Sequence, residues 1–270
     1  MYLQWPFSRS RCTHNALPKL PLPKLKKWNR FLDLPRYQLV ETNLLGKRFL
    51  IPDPLSFYWS YKEIIEDRIY DFPHINDSPR ILDLGANCGL SALFFMLRYP
   101  SVRLSCVEAD ISIFGILKSN LQNWASEKQV ALQHAAVAGT GISSVFHSTG
   151  ADTGRLVPHS SLSARPLEVK AVCLDDLIDG PVDFLKMDIE GAETEVLLSS
   201  QKLGLVSRLF VEYHSFVFQQ QRLVELLGAL RQSGFRVWIQ TQYCPARPFY
   251  ETPTQADMDL QLNLFAKRTT

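Results

Sequence analysis

Between Ile81 and Leu90 the chain reads Ile-Leu-Asp-Leu-Gly-Ala-Asn-Cys-Gly-Leu, and no other stretch restricts the fold so tightly. Arg80 to Leu84 has the short apolar pattern of a buried strand. Gly85, Ala86, Asn87, Cys88 and Gly89 follow as a turn of small residues, and Leu90 to Leu97 begins an apolar helix. Strand, glycine turn and helix in that order open the nucleotide-binding half of an open α/β sheet. Gly85 and Gly89 permit backbone conformations closed to other residues and let a ligand approach the main chain.

What is missing and what is added narrow the ligand. A dinucleotide fingerprint has glycine at its first, third and sixth positions, but here the third is Asn87 and the sixth Leu90. No Gly-Lys-Ser/Thr follows, so the phosphate loop of triphosphatases is excluded. Asp83 stands two residues before the first glycine, where a carboxylate repels a pyrophosphate and favours a cationic ligand. S-adenosylmethionine carries a sulfonium and an ammonium and no phosphate. Arg103 to Val107 reads as the next strand, and Glu108 closes it at the spacing of an acid that holds ribose hydroxyls. Taken singly, each piece has a plainer reading: Asp83 as a helix cap, and Glu108 and Asp110 as helix-start acids. Their order and spacing together favour a cofactor site.

A chain of 270 residues with 46% hydrophobic content supports one large α/β domain with decoration. The net charge of +2 gives no pull toward nucleic acid, yet residues 1–30 carry seven Lys/Arg and no acid, leaving −5 (2 − 7) on the remainder. The five cysteines have no paired spacing, which fits a reducing cytoplasm without zinc or a disulfide framework. No apolar run reaches the roughly 20 residues of a membrane span. Prolines and lysines interrupt any signal-like core near the N-terminus, so a cytoplasmic protein is expected.

Residues 1–35 read as a basic, proline-rich arm packing at most on the domain surface, with Trp5, Phe7, Trp28 and Phe31 interleaved. Residues 36–79 hold two short strands around Gly46-Lys47 and a helix from Leu55 to Tyr70, whose aromatic stripe reads first as core and, as the functional alternative, as a lid with Tyr58, Trp59 and Tyr61 bordering a substrate. Residues 80–270 form the cofactor-binding catalytic domain. Its strands are expected at 80–84, 103–107, 130–137, 167–173, 182–188, 208–213, 235–239 and 260–266, with polar inserted strands and loops over 139–166. Ala135 and Ala136 are small enough for an adenine ring to lie against the sheet edge. Alternating strands and helices specify a largely parallel sheet covered on both faces. Two closing strands without a long crossover add one antiparallel member.

Asp83-Leu84-Gly85-Ala86-Asn87-Cys88-Gly89-Leu90, followed by Lys186-Met187-Asp188-Ile189-Glu190-Gly191-Ala192-Glu193, resembles the FkbM-type methyltransferases of the class I S-adenosylmethionine-dependent superfamily. Cys173 to Leu177 and Val211-Glu212-Tyr213-His214 share in the likeness, which runs over about residues 45–267. The resemblance implies a Rossmann-like three-layer sandwich with a seven-stranded sheet, and methyl transfer to a hydroxyl of a sugar, glycan or hydroxylated natural product. It also implies Asp83, Gly85, Ala86, Asn87 and Gly89 around the methionine part, Glu108 on the ribose and Ala136 near the adenine. Alanine follows Glu108 where the family often has proline, and the basic arm has no counterpart in the pattern.

An alcohol is a weak nucleophile until its proton is removed, so a base or a metal must assist. Asp188, Glu212 and His214 are the candidates, and Lys186 is placed to stabilise an alkoxide or pair with Asp188. Glu190 and Glu193 read more simply as acids at a helix start. Asp188, Glu212 and His214 would also suit a divalent cation, but no metal is assigned. Competing readings are a nicotinamide-dependent oxidoreductase and a catalytically inactive cofactor-binding scaffold. Nucleic acid is disfavoured as acceptor, since no Asn/Asp-Pro-Pro-aromatic motif appears.

Overall fold

The computed structural model describes residues 19–73, 77–122, 124, 129–139, 144–148, 155–156, 165–250 and 257–268. The hairpin β1 (Val40–Leu44) and β2 (Lys47–Ile51) comes first, followed by helix α1 (Pro54–Tyr61). The alternating core then runs β3 (Arg80–Leu84), α2 (Leu90–Arg98), β4 (Arg103–Glu108), α3 (Ile111–Leu121) and β5 (Val130–His134). Short strands β6 (Ala136–Val137), β7 (Ser144–Ser148), β8 (Arg155–Leu156), β9 (Arg165–Val169) and β10 (Ala171–Val172) occupy the inserted region. Last come α4 (Leu174–Leu177), β11 (Phe184–Met187), α5 (Glu193–Ser199), β12 (Arg208–Phe216), α6 (Leu223–Gln232), β13 (Phe235–Tyr243) and β14 (Met258–Arg268).

Seven strands make the main sheet in the order β13-β14-β12-β11-β3-β4-β5. β14 runs antiparallel to both its neighbours, β12 and β13, while β12, β11, β3, β4 and β5 pair in parallel. This is the class I methyltransferase topology expected from the sequence. Helices cover both faces. Ile81, Phe184 and Phe210 pack with Leu93, Phe94 and Phe95 of α2 on one face. Leu82, Leu185 and Leu209 pack with Leu197 of α5 and Leu226 of α6 on the other. The alternation of side chains along each strand divides these residues between the two cores.

Two local expectations change. The helix expected over Leu55–Tyr70 is α-helical only to Tyr61; Lys62–Glu66 then widens into a π-helical turn, and Arg68 takes a left-handed φ of 56°. Asp53 caps the start through Leu55 N–H, with Pro54 at the first position where its missing N–H costs nothing. Part of the basic arm also differs from a surface decoration. Leu25–Asp33 forms a 3₁₀ helix whose Trp28 and Phe31 are completely buried against Phe57 and Tyr61. The Tyr61 hydroxyl donates to the Pro23 carbonyl and ties the arm to α1. Trp5, Phe7 and Cys12 lie outside the described residues.

Candidate active site

Strand order reverses between β3 and β11, which lie side by side in the centre of the sheet. Ligands of open α/β sheets bind at such a switch point, beyond the carboxyl ends of the strands. Gly85 follows β3 and Asp188 follows β11, and their backbones almost touch. A Cβ on Gly85 would stand 1.8 Å from the Asp188 carbonyl oxygen, and its φ of 76° is a second reason for glycine. Asn87 and Gly89 are also left-handed, with φ of 47° and 90°, so the turn coils tightly before α2. Asparagine tolerates that conformation better than most residues, and the Asn87 side-chain oxygen accepts from Cys88 N–H at 2.6 Å.

Glu108 ends β4 beside this turn. One carboxylate oxygen accepts from Asn87 N–H at 2.9 Å and the other from Asp110 N–H at 2.9 Å. Burial raises its pKa above the ordinary glutamate value, against the pull of those two N–H groups. Asp83 sits elsewhere than its sequence position suggests. It is completely buried and forms no part of the cavity wall. Ser91 Oγ donates to it at 2.6 Å, and Lys186 Nζ stands 3.5 Å away. Its charge is therefore answered inside the protein, one layer beneath the turn.

Lys186 links the two sides of the switch point. Its ammonium donates to the Gly85 carbonyl at 2.5 Å and lies 3.5 Å from Asp188 Oδ2. Burial alone would lower its pKa, but Asp188 and Asp83 outweigh that and hold it raised. Strand register places Asp83, Lys186, Phe210, Phe265 and Trp238 in one row across the sheet. The next row toward the cavity brings Glu212, Asn263 and Gln240 level. The same face thus passes from an aromatic floor to a polar one within two residues.

His214 is buried at the end of this polar floor. Its Nδ1 lies 3.0 Å from Glu193 Oε1, while Nε2 faces Glu190 Oε2 at 3.7 Å and Glu212 Oε1 at 3.8 Å. Burial opposes a charge on the ring, yet Glu190, Glu193 and Glu212 prevail and lift its pKa well above 6.5. Glu212 accepts a hydrogen bond from the Gln261 amide. Burial first, and then Asp188, push its pKa up to about 8. Glu193 does more than begin a helix. It is 1% exposed, and it accepts from Gly191 N–H at 3.0 Å as well as meeting His214.

A single cavity of about 1310 Å³ joins these groups. Gly85, Ala86, Asn87, Glu108 and Ala136 line it, and so do Lys186, Asp188, Glu212 and His214. Gly89 and Asp83 support its wall from behind without lining it. Trp59 and Glu63 come down from α1 and its π-helical extension, and Gln242 donates to Glu63 at 2.6 Å across the opening. Tyr61 is buried in the core, the plainer of the two readings of its aromatic stripe. The sequence analysis did not find Glu63, Gln240, Gln242, Gln261 or Asn263, and it set Glu190 and Glu193 aside. Polar residues at every second position of β13 and β14 were a usable signal for the floor; nothing local marked Glu63. The inserted segment 139–166, expected as polar strands and loops, lies largely outside the described residues.

A profile of the methyltransferase FkbM domain matches residues 83–237, more than half of the chain. The chain belongs to the FkbM methyltransferase family. Among its relatives, Methyltransferase sdnD of Sordaria araneosa is 28% identical over 204 residues, covering 59% of this chain and 79% of that one. Methyltransferase 1 of Beauveria bassiana (strain ARSEF 2860) is 25% identical over 183 residues, covering 58% and 74%. The crystal structure of an FkbM methyltransferase from Methylobacillus flagellatus KT superposes with a TM-score of 0.46 at 18% identity. The match takes in 72% of this chain but 45% of that one, so the chain spans less than half its length.

S-adenosylmethionine is the cofactor of this methyltransferase. The residues present fit that donor. Gly85, Ala86 and Asn87 of the turn line the cavity, and carboxylates outnumber cations around it, which suits a ligand with two positive charges. Among the described residues no helix is long and apolar enough to cross a membrane.

Proposed function

We propose that this methyltransferase transfers the methyl group to a hydroxyl oxygen of a polyhydroxylated acceptor, a sugar, glycan or hydroxylated natural product. One observation carries the reading: the Gly85 turn and the Asp188–Glu212–His214 group line one and the same cavity. In this reading Gly85, Ala86, Asn87 and Gly89 shape the seat for the methionine part. Glu108 accepts from the ribose, and Ala136 lies under the adenine. Asp83 acts from below by fixing Lys186 and Ser91.

S-adenosylmethionine supplies, when bound, a methyl carbon already activated by its sulfonium. The protein's tasks are then alignment, exclusion of water and removal of one proton. Glu212 is the group we assign to the proton: it lines the cavity beside Asp188 and His214, and with its pKa pushed up to about 8 it acts as a base from about that pH upward. Asp188 and Lys186 orient the hydroxyl and steady the charge that develops on oxygen. Gln240, Gln261 and Asn263 offer amide donors and acceptors to neighbouring hydroxyls, and Trp59, 52% exposed on the cavity rim, offers a face for a sugar ring.

The test is transfer of a labelled methyl group from S-adenosylmethionine to a panel of sugars, glycolipids and hydroxylated polyketides. Asp188→Ala should keep donor binding within a few-fold by calorimetry and lose at least about 100-fold in turnover. Binding of NADH in place of S-adenosylmethionine, or equal loss of donor binding and turnover in that variant, would overturn the assignment.

A further inference from the structure

We propose that Asp188, Glu190 and Nε2 of His214 form a site for one divalent cation. One ligand atom from each lies within 4.8 Å of the others. Oxygen and nitrogen ligands about 2.0–2.2 Å from a shared ion stand roughly 3–4.4 Å from each other. The 3.7 Å from Nε2 to Glu190 Oε2 falls in that range, and is too long for a hydrogen bond.

The ring is also held as a metal-bound imidazole is held. Glu193, itself buried, takes the Nδ1 side at 3.0 Å, which fixes the ring plane and leaves Nε2 turned to the cavity. A carboxylate behind a histidine in this way is the usual outer support of a ligating imidazole. A separate observation comes from β14. Asn263 is 1% exposed and lines the same cavity level with Glu212, and its Oδ1 has no hydrogen-bond partner among the described residues. A buried carbonyl oxygen left without a donor calls for one, and a water held by a cation supplies it. Asp188, Glu190, Glu193 and Glu212 also outnumber the one cation Lys186 when His214, as a ligand must, gives up its Nε2 proton to the ion's arrival.

Two carboxylates and one imidazole suit Mn²⁺ better than a soft metal. What the ion would do rests on the proposed methyl transfer to a hydroxyl: it would take the acceptor oxygen into an open position and polarise it, the proton passing to Glu212. Whether it binds does not rest on that reading.

The experiment is titration of the full chain, freed of metal by chelator and dialysis, with Mn²⁺ at pH 8, reading free Mn²⁺ by its paramagnetic resonance. About one ion per chain should bind. Glu190→Gln and His214→Ala should each weaken binding at least tenfold, and Glu193→Gln by about 10–100-fold. Glu63→Gln, a cavity acid outside the trio, should leave it unchanged. Circular dichroism identifies any variant that fails to fold; Glu190, one-fifth exposed, is the substitution least exposed to that failure. No saturable binding below millimolar Mn²⁺, or equal weakening by Glu63→Gln, overturns the site. Undiminished methyl transfer in excess chelator also overturns it while leaving the methyltransferase reading intact. Mn²⁺ binding with no methylated product supports the site and counts against the hydroxyl reading.

Discussion

His214 Nδ1 and Glu193 Oε1 meet at 3.0 Å, with both side chains buried. The pair joins two elements that lie apart in the chain, the carboxyl end of β12 and the first turn of α5. Glu193 also holds Gly191 N–H, so the ring's orientation and the path of the 189–191 turn depend on one carboxylate. Glu190 owes its place beside the ring to that turn, where it takes a left-handed φ of 57°.

Glu193→Gln should lower the pKa of His214 toward its ordinary value. In the protein without a bound cation the ring stays protonated well above pH 6.5. A folded pKa above the unfolded one means that this stabilisation is fully present below about pH 6.5 and is lost as pH rises through the folded value. Histidine NMR titration checks the shift. An unchanged His214 titration would remove Glu193 from this role.

Glu212 predicts both a pH profile and a trade between stability and turnover. As a base it must be unprotonated, so kcat/KM should rise as pH passes about 8. Its folded pKa lies above the ordinary glutamate value of 4.5, so its stabilising effect is present below that value and fades as pH rises through about 8. Glu212→Gln should therefore melt higher than the native protein at pH 9 while flattening the rate profile. Thermal melts and steady-state rates across pH 6–10 test both halves.

Gly85→Ala and Gly46→Ala separate two costs of replacing glycine. Both positions have positive φ, but nothing lies within 4 Å of a Cβ on Gly46, while one on Gly85 would overlap the Asp188 carbonyl. Gly46→Ala should cost about 1–2 kcal/mol, from backbone conformation alone. Gly85→Ala should cost about 3 kcal/mol or more and abolish donor binding. Urea unfolding and calorimetry give the comparison.

Lys186→Met should destabilise the fold by about 3–5 kcal/mol, since it leaves the buried Asp83 carboxylate without its cation. The double variant Asp83→Asn with Lys186→Met should recover part of the loss. No recovery in denaturant unfolding would show that the two charges are not coupled.

Trp28→Ala should cost about 3–5 kcal/mol, as for a large aromatic removed from a core. Trp28 is fully buried and stacks on Phe31 with ring centroids 5.4 Å apart. A loss below about 1 kcal/mol in urea unfolding would return this segment to the surface.

Much of this protein was legible in its amino-acid order. Ile81 to Leu90 specified strand, turn and helix because apolar runs and glycines act locally, through backbone sterics and burial on one face. The alternation that followed specified a doubly covered sheet, and the closing strands its antiparallel member. Asp188, Glu212 and His214 were found because each follows an apolar strand toward its carboxyl end. Other matters were decided only when distant strands came into register. Asp83 looks outward from its motif but is sealed beneath it, because β11 sets Lys186 directly alongside. Glu190 and Glu193 have the composition of a helix start, and only the packing of α5 on β12 turns them onto His214. Trp28 reads as part of a charged arm until α1 supplies the aromatic wall that buries it. Local pattern tells a residue which face it occupies; the order and register of the strands decide what that face meets.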